Sequence, residues 1–148
     1  MKDEHEEYLV KTYPKLYGKV EFEVGDGWFT ILNGLARCIQ EHVDQTIQSR
    51  WNARKRIRRL QDDPDADLST EVIISDRVRR VKVVQIKEKF GTLRFYIGAG
   101  GDDDIYSYIQ MAEVMSSITC ENCGAPGTRT SPPGWIRTLC PTCATARK

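Results

Sequence analysis

The sequence predicts an α+β fold in which helices pack with a β-hairpin, followed by a small C-terminal ribbon held by cysteines. Three observations predict it. Apolar residues recur at spacings of three and four over residues 26–60 and 104–119, as in amphipathic helices. Apolar and polar residues alternate over 80–98, as in paired strands. Two Cys-x-x-Cys pairs close the chain, so we expect an α+β domain over 1–119 and a ribbon over 120–148.

The first residues favour a short amphipathic helix that ends at Pro14, because the residue before a proline disfavours the α-helical region. A long helix follows over about residues 26–60, with Asp26 as a candidate N-cap. A helix of this span is about 50 Å long at roughly 1.5 Å per residue, which is long for a small domain. Arg50 interrupts its apolar stripe, so the pattern predicts a break or bend near Arg50.

The end of this helix is strongly basic, since six of the ten positions from 50 to 59 are arginine or lysine. The candidate binding residues are Arg50, Trp51, Arg54, Lys55, Arg58 and Arg59. The cations suit phosphate groups and Trp51 suits base stacking, although the segment would equally suit an acidic protein surface. A solvated helix face without function is the alternative. The acidic, proline-containing residues of about 61–76 then predict an exposed loop.

Alternation predicts a hairpin over about 80–98, with its turn at residues 89–92. The alternating apolar residues are Val84, Ile86, Leu93, Phe95 and Ile97. A helix follows over about 104–119. The aspartates at 102–104 suit its N-terminus, where carboxylates meet unsatisfied N–H groups. A divalent-cation site at these aspartates is the alternative.

Four of the five cysteines form two pairs, Cys120 with Cys123 and Cys140 with Cys143. This spacing is typical of a four-cysteine zinc site, in which two turns supply the four thiolates of a tetrahedron. Between the pairs, residues 127–131 and 135–139 predict two short strands joined by a Pro-Pro-Gly turn. We therefore expect a zinc ribbon, too small to have a core of its own, with one structural zinc per chain.

Two other interpretations fit four cysteines: two disulfides in a secreted protein, and an iron site of the rubredoxin kind. The acidic N-terminus lacks the apolar segment of a signal peptide, and no run of 18 apolar residues is present. We therefore expect a cytoplasmic protein with no membrane partner, in a compartment where disulfides are rare. Because thiolates would fill all four positions, whereas a catalytic zinc keeps one open, a structural role is favoured.

Nothing in the sequence indicates an active site, since the motifs of serine hydrolases, phosphate-binding loops and zinc proteases are missing. Cys38 and His42 lie four residues apart on the long helix, but two ligands are a weak signal. We expect Cys38 to act as a small buried apolar residue and His42 to be partly buried. His5 falls in a terminus expected to be mobile. The net charge of +1 gives no argument for nucleic acid, and we expect no enzymatic activity.

The stretches GDGWFTILNGL, QIKEKFGTLRFYIGAG and CENCGAPGTRTSPPGWIRTLCPTC together resemble a group of small proteins encoded by bacteriophages and prophages. The resemblance covers roughly residues 25–48 and 80–143, and leaves out the basic segment and acidic loop of 50–76. It implies a genomic setting rather than a mechanism. A small phage protein without an active site is expected to bind a host protein, and thereby to inhibit a host defence system or enzyme. The alternative is a nucleic-acid-binding zinc-ribbon protein in transcription or DNA metabolism.

Overall fold

A computed structural model describes residues 1–61, 81–131 and 134–146, and has the α+β architecture that the sequence predicts. Its helices are α1 (Asp3–Thr12), α2 (Pro14–Tyr17), α3 (Phe29–Gln61), α4 (Asp103–Ser116) and α5 (Pro141–Thr145). Its strands are β1 (Phe22–Glu23), β2 (Val83–Lys89), β3 (Thr92–Ile97), β4 (Thr128–Thr130) and β5 (Arg137–Leu139). Within these ranges, no helix is both long and apolar enough to cross a membrane. The predicted acidic loop, apart from residue 61, lies outside the described residues.

The first helix ends before Pro14, as predicted, and Pro14 then opens α2 at its first position, where its missing N–H is not needed. The prediction that Asp26 caps the long helix is wrong. Asp26 instead begins a 3₁₀ turn, and its carboxylate bonds the N-terminal helix. It accepts from the Lys2 backbone N–H at 3.2 Å and meets the His5 ring at 2.7 Å. His5 also stacks on Phe29. The N-terminus is therefore anchored, and the expectation that it would be mobile is wrong.

The long helix α3 runs without interruption for 33 residues from Phe29 to Gln61, so the predicted break near Arg50 is wrong. Arg50 follows Val43 by seven residues, or two helical turns, and therefore lies on the inner stripe. Its side chain is only 8% exposed. The burial includes the guanidinium, since the Nε and Nη2 atoms of Arg50 are inaccessible to solvent.

A three-stranded sheet has the order β1-β2-β3, in which β1 is parallel to β2 and β2 is antiparallel to β3. The hairpin turn lies at residues 90–91, inside the predicted turn. The register shifts between Val83 and Gln85, so Val83 and Ile86 face the core while Val84 is 58% exposed. The alternation predicted that Val84 and Ile86 would share the core-facing side of the strand. This is wrong for Val84, because an irregularity in the strand turns it outward.

The main core lies between α3, α4 and the inner face of the sheet. Its completely buried side chains include Trp28, Leu32, Ile86, Leu93 and Ile105. Asp102 caps α4 as predicted, since its carboxylate accepts from the Ile105 N–H at 3.1 Å. The helix ends at Ser116, three residues earlier than expected, and a short turn leads to the first cysteine. Strands β4 and β5 then pair antiparallel as the predicted ribbon.

Candidate metal centre

The four cysteines come together at one point, as their spacing predicts. All four sulfurs lie within 4.8 Å of one another, and the Sγ atoms of Cys123 and Cys140 are 3.6 Å apart. Sulfurs around one tetrahedral zinc, each about 2.3 Å from the metal, lie roughly 3.8 Å apart. The cluster therefore fits a single metal ion of this size, with one ligand from each of Cys120, Cys123, Cys140 and Cys143.

Two tight turns present these sulfurs. In the first, the Gly124 N–H donates to the Cys120 carbonyl at 2.9 Å, and Gly124 has φ +78°, which favours glycine. In the second, Cys140 is the N-cap of α5, and its sulfur accepts from the Cys143 N–H at 3.4 Å. In each pair, a tight backbone turn therefore fixes the directions in which the two cysteine sulfurs point.

The thiols do not all ionise with equal ease. Burial opposes ionisation of Cys120, but backbone N–H groups in both turns outweigh it and lower the pKa of this thiol to about 7. Hydrogen bonds with the sulfurs of Cys123 and Cys140 raise the pKa of Cys143 to about 12. Four thiolates held this closely repel one another. A bound cation is the natural counter-charge that allows all of them to lose their protons.

The ribbon is packed closely against the rest of the protein. The Gly27 N–H donates to the Glu121 carbonyl at 2.8 Å, and a Cβ on Gly27 would overlap the Cys120 carbonyl. The buried Trp28 Nε1 donates to the Thr119 carbonyl at 2.9 Å. On the other side, the buried Thr138 hydroxyl donates to the Gly91 carbonyl at 2.6 Å. The metal centre thus lies where the start of α3 and the hairpin turn both meet the ribbon.

A buried ion pair strengthens this junction inside the ribbon. Arg137 Nη2 lies 2.8 Å from Glu121 Oε1, and Arg137 Nε donates to Glu121 Oε2 at 2.9 Å. This two-point contact compensates the burial of the Glu121 carboxylate. The sequence reasoning missed it, because nothing in the spacing of Glu121 and Arg137 distinguishes them from surface charges.

The basic segment, residues 50–59 of α3, divides into two faces. Arg50 is buried, so it does not share the exposed surface on which the prediction placed all six residues. The other predicted binding residues are exposed on the outer face: Trp51, Arg54, Lys55, Arg58 and Arg59. The Lys55 ammonium lies 4.9 Å from the centre of the Trp51 ring, and Trp51 is 57% exposed. This face has the cations and the aromatic ring that the sequence suggested, on one regular helix.

A second cluster of polar groups joins α3 to α4. His42 Nε2 lies 2.8 Å from Asp102 Oδ2, and His42 Nδ1 lies 3.9 Å from Asp104 Oδ2. The ring of partly buried His42 therefore links the two helices, with a carboxylate beside each nitrogen. Cys38 was expected to be buried, but it is exposed and is not part of this group. No spacing rule in the sequence connects residue 42 with residue 102.

A further feature that the sequence reasoning did not identify lies between the hairpin turn and the ribbon. Phe90 has φ +54°, a conformation that bulky residues rarely adopt, and its side chain is 56% exposed. Trp135 is 65% exposed, and its Nε1 donates to Glu88 Oε2 at 3.2 Å. Both rings line an open cavity of about 490 Å³, the aromatic notch. Its lining residues are Glu88, Lys89, Phe90, Ser131, Gly134, Trp135 and Ile136.

Comparison of the chain with protein-family models, characterised proteins and solved structures finds no match.

Proposed function

We propose that this is a non-enzymatic, zinc-stabilised protein that acts by binding a macromolecule of a bacterial host. The observation that carries the proposal is the closed cysteine centre. Four sulfurs surround one point, so a tetrahedral zinc there keeps no position for water or substrate. A metal ion without an open position supports structure. The centre also lies where the start of α3 and the hairpin turn contact the ribbon, as expected of a structural metal.

Zinc is proposed because four thiolates at this spacing suit it. Zinc also does not change oxidation state, which suits a metal whose role is structural. Iron in the same ligand set is the alternative, since tetrahedral sulfur sites also hold iron. The chemistry of the ligands is the same in both cases. The metal content of the purified protein distinguishes them.

The resemblance of three motifs to phage and prophage proteins supports a host protein in the cytoplasm as the partner. Inhibition of a host defence system or enzyme is the proposed outcome. A second candidate partner is nucleic acid, which the exposed outer face of the basic segment favours. Cations on one helix face neutralise phosphates, and Trp51 offers a stacking surface.

Affinity purification of the tagged protein from host lysate, with and without nuclease, tests the proposal. A partner protein that stays bound after nuclease treatment and in raised salt supports direct protein binding, because a packed interface depends weakly on salt. Nucleic acid that is lost steeply with salt supports the second candidate. The variant Lys55→Gln/Arg58→Gln/Arg59→Gln serves as the comparison. Failure of the folded protein to retain either class of macromolecule would overturn the proposal.

A further inference from the structure

We propose that the aromatic notch binds single-stranded nucleic acid by stacking unpaired bases on Phe90 and Trp135. This inference rests on the nucleic-acid candidate of the proposed function, and it names a surface separate from the basic segment. The two rings come from parts of the chain 45 residues apart, the hairpin turn and the ribbon. They line one cavity because the ribbon packs on the hairpin.

The backbone at Phe90 is the first observation that favours a ligand. The two-residue turn places Phe90 and Gly91 at positive φ, a geometry that favours asparagine followed by glycine. Phenylalanine is strained at this position, yet its side chain is more than half exposed and packs into no part of the core. Asparagine would adopt this turn with less strain, so the turn alone does not account for an aromatic ring here. Strain of this kind is concentrated at binding sites.

The orientation of Trp135 is the second observation. Its Nε1 is held by one oxygen of Glu88, and the other oxygen of Glu88 accepts from the Gly91 N–H at 2.6 Å. Both carboxylate oxygens are therefore engaged within the notch, and the turn and the Trp135 ring are fixed by the same side chain. A ring held in place in advance loses little conformational freedom when a ligand stacks on it.

Charge selects the kind of ligand. The Lys89 ammonium lies 5.4 Å from the centre of the Phe90 ring. Lys87 is on the same face of β2, outside the notch lining, with its ammonium 5.4 Å from the centre of the Tyr96 ring. In the described part of the chain, neither lysine makes an ion pair with a carboxylate. Exposed rings flanked by cations suit a polyanion whose bases present flat faces. Those faces are available in a single strand and stacked away in a duplex, so the notch favours the single strand.

The experiment measures fluorescence anisotropy of a labelled 12-nucleotide oligothymidine and of the matching dA·dT duplex at 50 and 200 mM salt. The wild-type protein is expected to bind the single strand more tightly than the duplex. If two lysines neutralise phosphates, its affinity should fall roughly sevenfold between the two salts, from a slope of about −0.7 per phosphate.

The variants Phe90→Asn and Trp135→Leu should each raise the Kd for the single strand about tenfold, within the usual range for a lost base–aromatic stack. Asparagine tolerates positive φ, so the Tm of Phe90→Asn should not fall, which separates binding from folding. Tyr106→Ala removes a similarly exposed ring from α4 and should leave the Kd unchanged.

Equal affinity for duplex and single strand, or unchanged binding by both notch variants, would overturn the inference. Loss of binding only in Lys55→Gln/Arg58→Gln/Arg59→Gln would also overturn it, and would assign nucleic-acid binding to the basic segment. If no oligonucleotide binds while a host protein is still retained after nuclease treatment, the notch inference fails and the proposed function stands.

Discussion

Gly25 and Gly27 are the residues that let the ribbon approach the start of α3. A Cβ on either would overlap backbone atoms of the first cysteine turn. The Gly-Asp-Gly-Trp motif is therefore explained by close backbone contact, which sequence reasoning does not reveal. Asp26 between them bonds the N-terminal helix, so this short motif connects three parts of the protein.

Gly27→Ala should lower the free energy of unfolding by about 1–3 kcal/mol, because the added methyl group forces the cysteine turn away from α3. Gly34→Ala is the matched control. Its Cβ would meet no atom within 4 Å, so helix propensity should stabilise this variant by up to about 1 kcal/mol. Urea denaturation measures both. Equal stability of the two variants would show that the ribbon does not depend on the close approach.

The pair of His42 and Asp102 gives a prediction for pH. Burial opposes ionisation of Asp102, but hydrogen bonds from His42 and the Ile105 N–H outweigh it and lower the pKa of this carboxyl below 3.8. Because the folded pKa lies below the unfolded value, the stabilisation is present above about pH 4 and is lost as the pH falls through the folded pKa. An NMR titration of the Asp102 carboxyl should find a midpoint below 3.8, and His42→Ala should raise it. A midpoint unchanged by His42→Ala would contradict this assignment, with His5→Ala as the control.

At the scale of elements, α3 is a single helix whose two faces differ sharply near its end. Arg50 lies on the inner face, whereas Lys55, Arg58 and Arg59 are exposed. Charge alone does not distinguish these residues in the sequence. Their position on the helix does, once the helix is known to continue past Arg50.

Replacing Lys55, Arg58 and Arg59 together by glutamine should change the free energy of unfolding little, by about 0.5 kcal/mol or less for each exposed site. Arg50→Gln alone should cost more, about 1–3 kcal/mol, because Arg50 is buried and the shorter glutamine side chain leaves part of its space unfilled. Circular dichroism during thermal unfolding compares the two variants. A larger loss in the triple variant would mean that the outer face contributes to the fold.

The sequence predicted the elements whose signals are local. The period of the long helix, the Asp102 cap and the cysteine pairs each depend on neighbours within a few residues, and all three are confirmed. The errors arose where tertiary contacts decide. Val84 faces outward because the strand register shifts, and Asp26 bonds the N-terminal helix instead of capping α3. The aromatic notch also could not be predicted from the sequence, because it forms between two segments far apart in sequence.

At the scale of the whole molecule, the main core is made without the ribbon. Its buried residues lie between positions 9 and 112, while the ribbon has a separate small cluster around Cys120, Leu139 and Cys140. Metal binding and folding are coupled in ribbons of this size. The division into a domain over 1–119 and a ribbon over 120–148 is therefore a prediction about stability.

Removal of the metal with a chelator should unfold the ribbon while most of the helical structure persists. Circular dichroism should retain most of its helical signal, and NMR signals of residues 120–143 should lose their dispersion. The indole N–H signal of Trp28 should shift, because its acceptor Thr119 directly precedes the first cysteine. Complete loss of the helical signal would mean that the metal holds the entire fold together.

The most direct test of the closed metal centre is native mass spectrometry of the purified protein, combined with elemental analysis. The four-cysteine cluster predicts one zinc per chain, absent from the double variant Cys123→Ser/Cys140→Ser, which removes one ligand from each turn. A wild-type protein that purifies without bound metal, or a double variant that retains the ion, would contradict the account.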